Sequence, residues 1–542
     1  MPNDLGAGLI ENDQRLHKEI AAGMALFLSM YYVLTANPAI LGLAGVPIGA
    51  ALLGTFVVVI LGNILSARIT GTGLIIAPAV GISAFFADFV ANTRLTWEYA
   101  MLGTLVAGLL ICVISFFTDW RQQIIDSLPP PVRKATKAAI GALLVSAGLD
   151  IYRDSLANSI SPVNGEVHLP KPIALVIAVG MIAIFVSFAA LRQRRASRPY
   201  QGKRDPWSVT LLLHLEFVVG VGLGVVALYV LAPGYIEIQP SFEALQIIWF
   251  PDLLNSGSFT VLDITEARPD WVEFGLLFFA FVFVVVAIVI TDIPGTPPEV
   301  LDRVRIGPNV TIDNDQKTLV RNGFRNDAAF SAIAPVIGTT PSIYYAENLI
   351  LREIGSFSAR IGYVVAFLFS ICFFLTVLAV YFDYEHLMIT KLLPVFIVSP
   401  VVIYIGLLVI AMAYNQGDDR ENPVSGKPLL YYMPTSVAVI LTPFLGVQFS
   451  FPAAILVYWM FCPVGEMRSE SRDRSCIERD LRMNLGDSRF DNLGTEEKGQ
   501  AIDAESRTRG KRNAEKRTYA CVSVLAGVCM FVYLLVEISK VL

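Results

Sequence analysis

Apolar runs of about 17–25 residues recur along this chain, each long enough to cross a bilayer as a helix. Lipid offers no partner to a backbone N–H or C=O, so such runs close their hydrogen bonds within themselves. In the first half, spans are expected near 18–41, 48–67, 98–118, 133–150, 172–192 and 207–232. In the second half they are expected near 271–292, 326–338, 357–382, 391–413, 428–446 and 450–466. Of the 542 residues, 55% are hydrophobic and 16% charged, a balance that excludes a soluble globule. Residues 1–17 are mostly polar and the first apolar run is of spanning length, so no cleavable signal peptide is read here. The six cysteines form no CxxC and no Cys/His pattern, which argues against a disulfide framework and against zinc.

Two further segments, 74–92 and 339–355, are apolar but interrupted. Each opens with an extended stretch rich in Gly, Pro and Thr and continues as a short helix. Counting both gives about fourteen spans. A polar insert, 467–517, and a last apolar run, 518–542, follow. Whether 518–542 crosses the membrane or packs at its surface stays open.

Loop charges set the orientation, because Lys and Arg collect on the cytoplasmic side. Arg192, Arg194, Arg195, Arg198, Lys203 and Arg204 follow the sixth span, and Arg303, Arg305, Lys317, Arg321 and Arg325 follow the eighth. The loop 233–270 is acidic instead. The N-terminus and the insert 467–517 are therefore expected inside the cell, in an integral protein of the plasma (inner) membrane.

A weak repeat runs through the chain. Thr35-Ala36-Asn37-Pro38 pairs with Thr291-Asp292-Ile293-Pro294, 256 positions later. Ile111-Cys112 pairs with Ile371-Cys372, 260 later, and Ile140-Gly141 with Ile405-Gly406, 265 later. A repeat of seven spans must insert its second copy upside down. Inverted repeats place a substrate site at mid-membrane, where broken helices meet. Extended segments near 74–79 and 339–344 are expected to meet there.

Two carboxylates mark that site. Asp292 ends an apolar run in Ile290-Thr291-Asp292-Ile293-Pro294-Gly295-Thr296, and Glu347 lies in the second broken segment. Asp292 could cap a broken helix, and Glu347 could partner a first-turn dipole. The cost of an ionisable group at bilayer depth favours a ligand or proton role for both. A carboxylate accepts two N–H bonds in one plane, which suits the edge of a nucleobase. Asn37 either bonds substrate or joins helices. Phe85 and Tyr345 either stack on a planar base or pack between helices. Asp88 lies on the outward half-helix, and His214 and Glu216 are expected at a polar interface early in span seven.

At these residues the chain resembles the nucleobase–cation symporter-2 family, especially its AzgA-like purine permease branch. The matching pieces are His17-Lys18-Glu19-Ile20-Ala21-Ala22-Gly23, Ala36-Asn37-Pro38-Ala39-Ile40-Leu41, Ala77-Pro78 with Gly81 and Ala84-Phe85-Phe86, and Asp292-Ile293-Pro294-Gly295-Thr296. Tyr345-Ala346-Glu347-Asn348 looks like the Tyr-Gly-Glu-Asn motif of uracil and xanthine permeases. The AzgA-like pattern carries Asn where this chain has Ser83, and a small residue where it has Asn348.

The resemblance covers residues 15–466. It implies an all-α polytopic membrane fold of two inverted seven-span repeats. A core domain would comprise 18–118 (spans 1–4) and 271–382 (spans 8–11). A gate domain would comprise 133–232 (spans 5–7) and 391–466 (spans 12–14). Substrate would lie against Asp292 and Glu347, with Asn37, Phe85, Ser83, Tyr345, Ala346 and Thr296 around it. The implied partners are a nucleobase, a coupling H⁺ carried through Glu347 or Asp292, and the lipid bilayer. Na⁺ coupling and a homodimer stay open, and neither a cofactor nor a nucleic acid is implied.

No Walker A sequence is present, so ATP does not drive the chain directly. The first reading is a secondary active transporter of purine-type bases (adenine, guanine, hypoxanthine or xanthine), not an enzyme. One rival is a sulfate-transporter-like anion carrier of the same architecture, whose substrate Asp292 and Glu347 would repel. The other is a transport-inactive receptor or scaffold docking through 467–517.

Overall fold

The computed structural model describes residues 4–93, 95–117, 130–157, 171–196, 215–231, 271–291, 314–348, 351, 357–382, 395–415 and 428–445. The helices are α1 Asp4–Met30, α2 Val33–Leu43, α3 Ile48–Thr70, α4 Val80–Asn92, α5 Trp97–Phe117, α6 Pro130–Ala157 and α7 Lys171–Ala196. They continue as α8 Glu216–Leu231, α9 Trp271–Thr291, α10 Asn314–Ile333, α11 Ala359–Tyr381, α12 Val395–Asn415 and α13 Pro428–Leu445. Two three-residue strands interrupt them, β1 Ile76–Pro78 and β2 Ser342–Tyr344. The fold is that of a helical, polytopic membrane protein. Among the described residues, six helices are long and apolar enough to cross a membrane. Large apolar side chains point outward, such as Phe279 on α9 at 75% and Val230 on α8 at 72% exposed. Such faces suit lipid, because a soluble surface would leave them in water.

Most expected spans appear as helices, with local differences. The first span is two helices, broken at Tyr31 and Tyr32. Pro38 sits inside α2, where it supplies no N–H to the helix ladder. The ninth span starts earlier than expected, at Asn314, and ends in a 3₁₀ turn, Ala334–Ile337. Arg192 is not a loop cation. It lies in α7, one-fifth exposed, and its Nη2 is 2.8 Å from Glu216 Oε2 on α8. Glu216 thus meets the polar interface expected of it. Asp292, Thr296, Thr291's side chain, His214 and everything beyond residue 445 lie outside the described residues, including the expected span 450–466, the insert and the final helix.

The described residues fall into two compact units. The larger holds those up to Phe117 and those between Ile140 and Ile410. In it, α5 packs on α9 and α10, α3 on α10 and α11, and α1 on α11. These helices surround the strand pair. β1 and β2 are antiparallel, with Ile76 opposite Tyr344, Ala77 opposite Ile343 and Pro78 opposite Ser342. The two extended segments expected from the sequence therefore do pair. β1 leads into α4, as expected of a broken span. Gly71 ends α3 in the left-handed region (φ +68°), and Gly338 turns the chain into β2 with φ +88°. A β-carbon is disfavoured at both positions. The smaller unit includes Pro130–Ala139, Ala411–Asn415 and α13, in which Thr442 Oγ1 donates back to Ala438 O at 2.6 Å.

Helix contacts in the larger unit are set by small residues. A β-carbon on Gly108 of α5 would lie 2.3 Å from Ser331 O and 2.8 Å from Ala332 Cα of α10. Both are backbone atoms and cannot rotate away. Gly108→Ala should therefore lower the thermal midpoint of the detergent-purified protein, at a cost of about 1–3 kcal/mol. Gly180→Ala on α7, where a β-carbon meets nothing within 4 Å, should leave it unchanged.

Candidate functional site

The strands exist because α3 and the turn after β2 satisfy a backbone that no helix serves. Asn63 of α3 accepts from Ile76 N at 2.7 Å and donates to Ile76 O at 3.1 Å. Asn348 does the same for the preceding residue, accepting from Ile75 N at 2.9 Å and donating to Ile75 O at 3.0 Å. Ser66 Oγ donates to Leu74 O at 2.8 Å. Gly73 N donates to Phe357 O at 3.0 Å, and Ala79 N to Pro341 O at 2.9 Å. From α10, Ser331 Oγ donates to Ser342 O at 2.9 Å. Pro78 has no N–H to leave unpaired, and its carbonyl accepts from Tyr345 Oη. Asn348, a departure from the AzgA-like pattern, is thus a backbone clamp.

Beside the strands lies a fully buried polar knot from four elements. Asn37 Nδ2 donates to Thr55 Oγ1 of α3 and to Thr339 Oγ1, both at 2.8 Å. Asn37 Oδ1 accepts from Ser83 Oγ of α4 at 2.5 Å. Ser83 and Thr340 share a hydrogen bond at 2.6 Å. Asn37, Thr55, Ser83, Thr339 and Thr340 have no exposed surface. Both protons of the Asn37 amide are therefore donated within the protein. Of the two sequence readings of Asn37, the contact between elements accounts for its hydrogen bonds. Phe85 is likewise committed to packing. Its ring stacks on Phe281 of α9 at 5.4 Å and 19° and meets Phe89 at 5.6 Å.

Glu347 stands apart from the knot. It lies in a 3₁₀ turn, Ala346–Asn348, directly after β2. Its Oε1 accepts from Tyr32 Oη at 3.2 Å. Tyr32 reaches it because the first span breaks there, with Thr35 and Ala36 N–H turned back onto Tyr32 O. The Tyr32 ring packs on Phe217 of α8 at 5.3 Å. Phe217 packs on Phe185 of α7 at 5.4 Å and on Tyr404 of α12 at 5.8 Å. The Arg192–Glu216 pair lies near enough for its charges to act on Glu347. The result is a half-buried carboxylate at one end of an aromatic wall, with an ion pair near it. Such a site can accept N–H bonds from a flat, apolar-faced ligand.

The sequence singled out Glu347, and the fold sets Tyr345 and Ala346 in line with it. Asn37 and Ser83 are joined to each other. Asp292 and Thr296 lie outside the described residues. Sequence reasoning missed Tyr32, Thr339, Thr340 and Asn63. The Thr339-Thr340 pair between Gly338 and Pro341 was a usable signal, since two hydroxyls in a break invite partners. Tyr32 offered none, because its role depends on where the helix breaks.

No protein-family model matches the chain. The chain is 24% identical over 371 residues to the guanine/hypoxanthine permease PbuO of Bacillus subtilis, covering 68% of this chain and 76% of that one. It is 23% identical over 447 residues to the adenine permease AdeP of Escherichia coli, covering 81% and 87%. These relatives fit the AzgA-like branch of the nucleobase–cation symporter-2 family, as the motifs imply. Among solved structures, the transmembrane domain of a cyanobacterium bicarbonate transporter BicA aligns with a TM-score of 0.47 and 14% identity, over 81% of this chain and 97% of that one.

The knot yields a test. Asn37→Ala removes a partner from Thr55, Thr339 and Ser83; Thr55 keeps its bond to Ala51 O and Ser83 its bonds to Ala79 O and Thr340, and a buried polar group that loses its partner costs about 1–3 kcal/mol. The ligand-free thermal midpoint should drop by several degrees. An unchanged midpoint with weakened substrate binding would instead return Asn37 to the ligand.

Proposed function

We propose that this chain is a secondary active permease for purine-type nucleobases, coupled to H⁺ and working by alternating access in the plasma membrane. The observation that carries it is the Glu347 carboxylate, bonded by Tyr32 whose ring packs on Phe217, in a chain similar to guanine/hypoxanthine and adenine permeases over most of its length. Tyr32 uses one of about four lone-pair directions of the carboxylate, and a base N–H can take another. The aromatic rings beside it match the apolar faces of a base. We assign Asp292, next in sequence after α9, as the second carboxylate, and one of the two as the proton carrier. Neutralising either by protonation removes a charge that opposes passage of the loaded site through the membrane.

Two inverted seven-span repeats, with core and gate domains bounded as in the sequence reading, complete the proposal. The N-terminus faces the cytoplasm in this arrangement. One contact supports the repeat. Gly141 and Gly406, matched at 265 positions, meet reciprocally: a β-carbon on Gly141 would lie 2.7 Å from Gly406 O, and one on Gly406 2.6 Å from Gly141 O. A reciprocal approach of matched residues is what a local two-fold axis between the copies would produce. Inverted copies generate such an axis in the membrane plane.

Uptake of labelled adenine, guanine, hypoxanthine and xanthine in a permease-deficient cell tests the substrate class. Uptake of sulfate or bicarbonate instead would mark an anion carrier, and uptake of nothing a receptor. Glu347→Gln and Asp292→Asn should each cut base affinity by roughly 10- to 150-fold, the worth of a hydrogen bond to a charged group. Both variants should reach the membrane in normal amount. Normal uptake by both would remove the two carboxylates from the site.

Coupling has its own signature. With H⁺ moving inward alongside the base, uptake should fall as external pH rises and collapse on addition of a protonophore. Uptake that ignores the proton gradient and follows Na⁺ would overturn the H⁺ assignment.

A further inference from the structure

One side chain ties the site carboxylate to the break in the first span. Tyr32 is buried, and its hydroxyl donates to Glu347 Oε1 at 3.2 Å. Both ends of this bond are anchored. On one side, the Tyr32 carbonyl accepts from Thr35 N at 3.1 Å, Ala36 N at 2.8 Å and Thr35 Oγ1 at 3.0 Å, which pins the chain between α1 and α2. On the other, Asn348 bonds both backbone groups of Ile75, and Tyr345 Oη donates to Pro78 O, which ties the turn carrying Glu347 to β1. All of these anchors lie in the core of the division proposed above. The Tyr32 ring packs on Phe217 of α8 at 5.3 Å and 32°, and α8 belongs to the proposed gate. The hydrogen bond thus travels with the core, while the ring makes an apolar contact with the gate.

A permease that delivers base must bring its site back empty after each delivery. In the open states water reaches the site and can serve the carboxylate. At the occluded midpoint, with the site shut on both faces, a charged carboxylate without a donor is costly. The loaded carrier meets that need with a base N–H or with the coupling proton. The empty carrier has neither. We propose that Tyr32 is a positioning residue for the empty return, whose hydroxyl supplies the donor to Glu347 when no base is bound. A phenylalanine at this place would make the same packing with Phe217 and leave Glu347 without that donor. The assignment rests on the permease reading above, and it gives the break in the first span a task in the transport cycle.

Tyr32→Phe removes one oxygen and keeps the ring. Full-length protein is placed in lipid vesicles, and two rates are read for adenine, guanine, hypoxanthine and xanthine in turn. Net uptake into base-free vesicles needs the empty return. Exchange into vesicles preloaded with the same unlabelled base does not, because the loaded carrier moves in both directions. For the base that the wild type moves, Tyr32→Phe should slow net uptake about tenfold or more, the worth of one hydrogen bond to a charged group. Exchange should fall far less. Tyr31→Phe, one residue away with its ring on Phe27 at 5.9 Å, is the control and should change neither rate. Equal loss of both rates would place the hydroxyl in the loaded carrier and overturn the assignment. A Tyr32→Phe protein that does not fold would mark the hydroxyl as structural and overturn it as well. A wild type that moves none of the four bases in either mode overturns the permease reading and the assignment with it, whereas wild-type transport with an unaffected variant overturns the assignment alone.

Discussion

A backbone that leaves helical geometry inside a membrane protein must find a partner for every N–H and C=O, and the rest of this structure depends on how that is met. The run from Gly73 to Ala79 is served residue by residue. Asn63 and Asn348 each present an amide that copies a neighbouring strand, one to Ile76 and the other to Ile75. Three residues of true strand pairing are too few to stand alone. With two side-chain amides and Ser66 added, the ladder extends along both edges of β1. This places α3 against the strands and turns the chain after β2 toward Glu347.

Polar side chains divide into two kinds by the same logic. Those of the knot are bonded to one another, and they tie α2, α3, α4 and the approach to β2 into one body. A buried network of this kind is stable when its members are satisfied and costly when one is lost. Glu347 and the Arg192–Glu216 pair stand outside the knot, Glu347 bonded by Tyr32 and the pair by each other. They line an aromatic wall built from α7, α8, α12 and the break before α2. The knot joins four elements, and the wall carries the candidate site.

Much of the architecture was legible because its causes are local. Spanning runs follow from hydrophobicity, and the two breaks follow from Gly, Pro and Thr. Glu347 stood out because a carboxylate in an apolar span needs a reason. The roles of Asn63 and Tyr32 were not legible. Asn63 sits between Gly62 and Ile64 in a mostly apolar helix, and its partner is defined only once the strand lies across it. Tyr32 follows a break that no Gly or Pro announces. Arg192 read as a loop cation because charge clusters near it in sequence, whereas its partner Glu216 comes from the next described helix. Asn37 carried two readings that composition could not separate, and the structure shows its amide bonded to two threonine hydroxyls.

The strand pair also orders events during synthesis. Ser83 and Thr340 are 257 positions apart, Ile75 and Asn348 273, and Asn37 and Thr339 302. At about 5–20 residues per second, Asn37 is made roughly 15–60 s before Thr339 exists. The N-terminal half thus enters the membrane with an open strand edge, a buried asparagine and a half-helix whose partners have yet to be translated. Its polar groups must be held by water, by the insertion machinery or by transient partners through that interval. The strand pair and the knot are closed by residues from 339 onward, so a ribosome that stalls before residue 339 leaves helices in the bilayer with neither between them.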